Sequence, residues 1–114
     1  MTVTSTLHLN FDGEARAALE YYHSVFGGDL VMVPYGDTSP DQADQVVWGQ
    51  VSSPDGFHVM AYDVQRDLVR DAGSNAFYFS LRSTDADEIT GYWTALAAGS
   101  TVEVELGPSV FSPL

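Results

Sequence analysis

Alternating apolar and polar residues from Thr2 to Phe11 predict a half-buried strand. One face of this strand carries Leu7, Leu9 and Phe11, and the other carries Thr6, His8 and Asn10. Residues 15–26 then change to helical spacing, with an apolar stripe made of Ala15, Ala18, Leu19, Tyr22, Val25 and Phe26. We expect Asp12 to cap this helix and Gly27-Gly28 to end it.

Three further strands and a polar loop are predicted before residue 64. The strands are Leu30–Tyr35, Gln45–Ser52 and Phe57–Asp63, and the loop is Gly36–Ala43. The last two strands flank Ser53-Pro54-Asp55-Gly56, whose proline and glycine favour a hairpin turn. The first half therefore reads as a βαβββ unit.

The second half repeats the start of this pattern. After a charged linker, Val64–Ser74, we predict a strand at Ala76–Leu81, a helix at Ala86–Ala98 and a strand at Thr101–Leu106. Thr84 or Asp85 can cap the helix, and Gly99 ends it. A constant offset of 70 positions relates the halves: Phe11 to Leu81, Leu19 to Ile89, Tyr22 to Tyr92 and Phe26 to Leu96.

A constant offset through strand and helix favours a duplicated unit within a single domain spanning residues 1–114. Module one covers about residues 2–63, the linker 64–74, and module two about 75–114. Only two strands of module two are predicted before Leu114, so we expect the second module to be incomplete at its C-terminus.

Composition removes several functional classes. The chain has 4 Lys+Arg, 16 Asp+Glu, a formal net charge of −12 and no cysteine. Such acidity disfavours nucleic acid and anionic membranes, and the missing cysteines exclude disulfides and Cys-based zinc sites. Without a spanning segment or signal peptide in the sequence, we expect a cytoplasmic protein. The charge serves either solubility alone or attraction of a cationic ligand.

One segment resembles a known family: Leu9-Asn-Phe-Asp-Gly-Glu-Ala-Arg-Ala-Ala-Leu-Glu-Tyr-Tyr-His-Ser-Val-Phe-Gly-Gly28. It is similar to the opening of PhnB-like proteins. These belong to the vicinal oxygen chelate superfamily, which also includes glyoxalase I, bleomycin-resistance proteins and extradiol dioxygenases. Val46–Val51 and Val59–Asp63 resemble that family's third and fourth strands, and the likeness covers about residues 7–106. It implies an α+β fold of paired βαβββ modules, curved around a pocket and usually in a homodimer.

The resemblance also implies where metal ligands would lie, on the first and last strands of each module. Thr6 and Ala76 occupy two of these positions, and neither residue can replace a histidine ligand. His58 and Asp63 are five residues apart on one strand and therefore on opposite faces. Relatives often carry His and Glu in the third-strand motif, where this chain has Trp48 and Gln50. We therefore predict neither a metal nor another cofactor.

The candidate ligand-binding residues are Thr6, His8, Asn10, Trp48, Gln50, Tyr62 and Tyr78. His8 either contacts a ligand or is a hydrogen-bonded wall residue without chemistry, and the aromatic residues either form a pocket or belong to the core. These residues favour a metal-free binder of a small hydrophobic or cationic molecule. The alternative is a divalent-metal-dependent lyase, isomerase or dioxygenase of the glyoxalase type, and catalytic residues remain unassigned.

Overall fold

The first half of the chain forms the predicted βαβββ module. A computed structural model describes residues 3, 5–54, 56–65, 79–102 and 105–107. The elements are β1 (Leu7–Phe11), α1 (Ala15–Phe26), β2 (Asp29–Pro34), β3 (Val46–Ser52) and β4 (His58–Asp63). They build one sheet in the order β1-β4-β3-β2, with β1 parallel to β4 and the other neighbours antiparallel. The first strand begins at Leu7 rather than at the predicted Thr2.

The core lies between α1 and one face of this sheet. Its buried residues are Ala15, Leu19, Val46, Val51, Val59 and Ala61. Leu9, Phe11 and Tyr22 pack around them, as the two apolar stripes predict. At one end, the rings of Phe26 and Phe57 stack with centroids 3.8 Å apart. The helix therefore covers one face of the sheet, and the opposite face is not covered by α1.

A bulge in β3 determines which of its side chains face the helix. Val33 pairs with Trp48, whereas the next residue, Pro34, pairs with Val46, so one extra residue lies in β3. The shift lets Val46 enter the core while Trp48 keeps the opposite orientation. Leu19 packs over Gly49, where a Cβ atom would overlap its side chain. The absence of a side chain at Gly49 thus allows the helix to approach β3 closely.

Asp63, not Asp12, binds the backbone at the start of α1, which corrects the sequence prediction. Glu14 occupies the N-cap position and makes no side-chain capping bond. The Asp63 Oδ1 atom instead accepts hydrogen bonds from the backbone N–H groups of Gly13 and Ala15, at 2.6 and 3.1 Å. Its Oδ2 atom accepts from the Val46 N–H at 2.9 Å. A carboxylate on β4 therefore satisfies donors that a local cap would otherwise bind.

The segment predicted as a polar loop contains a buried polar centre. It folds into two short 3₁₀ helices, Gly36–Thr38 and Pro40–Gln42. The Gln42 side chain is buried and donates to the Val64 carbonyl at 3.1 Å and to Gln45 Oε1 at 2.7 Å. Val64 is itself buried, and its N–H donates to the Phe11 carbonyl at 2.8 Å. The predicted linker is therefore anchored at Val64, and residues 66–74 lie outside the described part.

The chain divides into two compact units, Met1–Ser74 and Asn75–Leu114. In the second unit, α2 spans Ala86–Ala97, and the Asp85 side chain accepts from the N–H groups of Asp87 and Glu88. This confirms the predicted helix and one of its two candidate caps. The strands predicted at Ala76–Leu81 and Thr101–Leu106 are not formed by their described residues, 79–81, 101, 102, 105 and 106. The predicted second module, incomplete at its C-terminus, therefore remains a prediction.

Candidate functional site

The sheet face opposite α1 carries the candidate site. Successive residues of a strand point to opposite faces of the sheet, so the residues of each strand that point away from α1 make up this face. We call it the open face, and its members are His8, Asn10, Asp29, Val31, Val33, Trp48, Gln50, Ser52, His58, Met60 and Tyr62. Five of the seven sequence-predicted ligand-binding residues belong to it. Thr6 directly precedes β1 and lies in no strand, and Tyr78 lies outside the described residues.

Strand register arranges the open face in three rows that run across the sheet. The first row joins Asp29, Ser52 and His58. The second joins Val31, Gln50, Met60 and His8. In the third, Val33 pairs with Trp48, and Tyr62 pairs with Asn10. Residues that are distant in sequence thus become neighbours, and the chemistry changes from polar to aromatic over the length of the strands.

Large apolar side chains are exposed toward the β2 edge of the open face. Val31 is 47% exposed, Val33 43% and Trp48 37%. The first two lie on β2, which is an edge strand of the sheet that the described residues form, and Val33 is the direct partner of Trp48. Exposed apolar side chains that are adjacent, rather than scattered, favour contact with an apolar molecule.

Two side-chain contacts lie beside the apolar strip, which consists of Val31, Val33 and Trp48. The His8 and Tyr62 rings meet edge to face, with centroids 5.1 Å apart and planes at 78°. In the first row, His58 Nδ1 lies 2.8 Å from Ser52 Oγ, a hydrogen bond across the β3–β4 hairpin. Gln50 and Met60 lie between these contacts as direct cross-strand partners.

Among the described residues of the open face, Asp29 at the start of β2 is the only one with a carboxylate. This is notable in a chain with 16 acidic residues. The acidity therefore lies mainly elsewhere, and the open face itself presents amide, hydroxyl, imidazole and apolar groups.

Metal-ligating side chains do not converge in the described part of the chain, where no group of three or more His, Asp or Glu residues could hold an ion. His8 and His58 share the open face, whereas Asp63 points to the other side and is committed to three backbone donors. The sequence argument that separated His58 from Asp63 is confirmed. The third histidine, His23, lies on α1, and its Nε2 is 3.1 Å from the Gly28 carbonyl.

One titratable group with a shifted pKa lies away from the open face. Burial raises the pKa of the Tyr22 phenol above its usual 10.0, and the neighbouring Tyr21 adds a smaller effect in the same direction. Tyr22 packs against the core on α1 and near the Phe57 ring. The shift therefore reports helix packing rather than chemistry on the open face.

Sequence reasoning missed six members of the open face: Asp29, Val31, Val33, Ser52, His58 and Met60. Val31 and Val33 look like ordinary strand residues, and only the sheet order shows that β2 is an edge strand. The alternation along β4 was the available signal for Met60, because it places Met60 on the same face as Tyr62. The Ser52–His58 bond required the hairpin register, which the turn sequence alone does not fix.

Comparison with known proteins identifies the family to which this chain belongs. The family model described as 3-demethylubiquinone-9 3-methyltransferase matches residues 3–108. The chain therefore belongs to this PhnB-like family of the vicinal oxygen chelate superfamily. No curated protein matches the sequence.

Neither α-helix of the described residues has the length and apolar character that a membrane span requires.

Solved structures share the fold. Protein PA1353 from Pseudomonas aeruginosa is 28% identical, with a TM-score of 0.82 over 98% of this chain and 85% of that protein. A PhnB protein from Bacillus cereus, described as a candidate 3-demethylubiquinone-9 3-methyltransferase, is 22% identical, with a TM-score of 0.70. That match covers 99% of this chain and 86% of the other. The α+β architecture and the family resemblance are thereby confirmed.

Proposed function

We propose that this PhnB-like protein binds a small, flat, mainly apolar molecule on its open face without a metal ion. The observation that carries the proposal is the adjacent exposure of Val31, Val33 and Trp48. An indole ring offers a wide apolar surface for stacking, and two valines extend that surface to the sheet edge. Burial of this strip against a ligand removes apolar area from water, which favours association.

Polar residues beside the strip give the ligand an orientation. Asn10 and His8 are exposed on β1, and Gln50 lies half-buried on β3. Their amide and imidazole groups can donate or accept hydrogen bonds. A few such groups around an apolar surface are typical of small-molecule sites. None of them needs a metal ion for this role.

Fluorescence of Trp48 tests the proposal directly. In a Trp93→Phe background, Trp48 is the only tryptophan, because the chain contains two. We expect saturable quenching or a spectral shift on titration with flat aromatic compounds, with dissociation constants on the order of 10–100 μM. Calorimetry should show about tenfold weaker binding to Trp48→Ala, since an aromatic anchor commonly carries much of the affinity.

Trp48→Phe is the matched control, because it keeps an aromatic ring and leaves Trp93 as the reporter. We expect it to bind in calorimetry without a fluorescence change. A varied panel that produces neither quenching nor heat with the intact protein would contradict the proposal.

The metal-dependent alternative is separated by thermal shift measurements with Ni²⁺, Zn²⁺, Mn²⁺ and Fe²⁺. Since binding to the native state raises apparent stability, a true site would raise the melting temperature. We expect no shift that depends on His8. A stabilisation that disappears in His8→Ala would instead support a metal-dependent enzyme of the glyoxalase type.

A further inference from the structure

The Ser52–His58 pair lies on the open face but outside the apolar strip. Its hydrogen bond of 2.8 Å joins Ser52 Oγ to His58 Nδ1, and both side chains are partly buried. This bond occupies one ring nitrogen of His58 and leaves Nε2 as the nitrogen available to a ligand. The pair therefore presents an oriented imidazole at one end of the face.

The chemistry of the serine partner determines what Nε2 can bind. A hydroxyl both donates and accepts, whereas a carboxylate or a backbone carbonyl only accepts. When Ser52 donates to Nδ1, the neutral imidazole carries its proton on Nε2 and can donate to a ligand. When Nδ1 donates to Ser52, Nε2 becomes an acceptor. The ligand group that matches Nε2 in either state is one that can both donate and accept a hydrogen bond, such as a hydroxyl.

Distance along the strands limits the shape of the ligand. Ser52 and Trp48 are four residues apart on β3, and His58 and Tyr62 are four apart on β4. At about 3.3 Å per residue, the polar first row lies about 13 Å from the aromatic third row. Met60 and Gln50 lie between them, and the flexible thioether of Met60 adapts to differing ring shapes.

From this arrangement we infer that the ligand is an aromatic alcohol or phenol whose hydroxyl binds His58 Nε2 and whose rings extend over Met60 to Trp48. The inference rests on the proposed binding function and adds the polar end of the ligand. Ser52 acts as a positioning residue, because it touches His58 rather than the ligand. His58 is the residue that selects for the hydroxyl.

Two isosteric probes test the inference: para-phenylphenol and para-methylbiphenyl, which differ by a hydroxyl in place of a methyl group. Titration follows Trp48 fluorescence in the Trp93→Phe background. We expect para-phenylphenol to bind about five- to tenfold more tightly, as one well-made hydrogen bond provides. In His58→Phe this preference should vanish, while affinity for para-methylbiphenyl stays within about twofold of the reference protein.

Ser52→Ala and His23→Gln complete the design. Ser52→Ala should reduce the preference for the phenol without abolishing binding of para-methylbiphenyl. His23→Gln, which changes a histidine on α1, should retain the full preference. A merely structural role of the Ser52–His58 bond would lower stability and leave the ratio of the two affinities unchanged.

The outcomes distinguish the two proposals. Equal affinity for both probes, unaffected by His58→Phe, would overturn the inference and leave the proposed binding function standing. Absence of binding by either probe and by the wider aromatic panel would overturn both. A preference that survives His58→Phe would assign the hydroxyl to another residue and would likewise overturn the inference.

Discussion

Replacement of Asp63 by alanine is expected to lower the free energy of unfolding by about 3–5 kcal/mol. The side chain is 1% exposed, and its two oxygens accept from the backbone N–H groups of Gly13, Ala15 and Val46. Hydrogen bonds to a charged acceptor contribute more than neutral ones, and their loss leaves buried donors without a partner. Urea unfolding followed by circular dichroism measures the effect.

Asp12→Ala is the matched control, because sequence reasoning assigned the helix cap to Asp12. Since Asp12 is exposed and Asp63 makes the capping contacts, we expect a change within about 0.5 kcal/mol. The loss of unfolding free energy in Asp63→Asn should lie between the losses in Asp12→Ala and Asp63→Ala. The amide of asparagine retains one acceptor oxygen, but its NH₂ group would face a backbone N–H donor. A larger effect for Asp12→Ala than for Asp63→Ala would contradict the assignment of the cap.

The second large effect is expected at Gly28, where alanine should cost about 3 kcal/mol or more. Gly28 has φ of 84°, and an added Cβ would overlap the Ser52 carbonyl oxygen and lie 2.7 Å from Ser53 Cα. These are backbone atoms of the β3–β4 hairpin, so relief would require the α1–β2 connection to move away. Thermal and urea unfolding both report the loss.

Gly27→Ala provides the comparison for Gly28→Ala. Its φ is 71°, but nothing lies within 4 Å of the added Cβ, so only the backbone strain remains. We expect about 1–2 kcal/mol for this change. Equal losses at the two glycines would show that close packing against Ser52 contributes nothing.

Local patterns predicted the first module because its elements agree with simple periodicities. The helix Ala15–Phe26 has the predicted bounds, and the three later strands of the module begin or end within one residue of their predicted positions. Asp63 could not be identified as a cap, because its donors lie 48 and 50 residues away in sequence. The start of β1 was also misplaced, since alternation continues through residues that have no strand partner in the described sheet.

The candidate site was predicted in part for the same reason. Alternation was sufficient to place His8 and Asn10 on the face opposite the helix, whereas Gln50 was chosen from the third-strand motif of the family. The bulge in β3 determines on which face Trp48 lies. The identity of its cross-strand neighbour, Val33, depends on sheet order and register. Those properties arise from pairing between distant segments, which one sequence does not reveal directly.

The most direct test of the open face as a binding surface is a ¹⁵N–¹H NMR titration of the labelled protein with para-phenylphenol. The Trp48 indole N–H and the side-chain amides of Asn10 and Gln50 report the open face. The buried Gln42 side-chain amide is not a member of the open face and serves as the internal control. We predict saturable shifts of the first three signals with the Gln42 signal unchanged. A saturable shift of Gln42 with Trp48, Asn10 and Gln50 unmoved would contradict the assignment of the site.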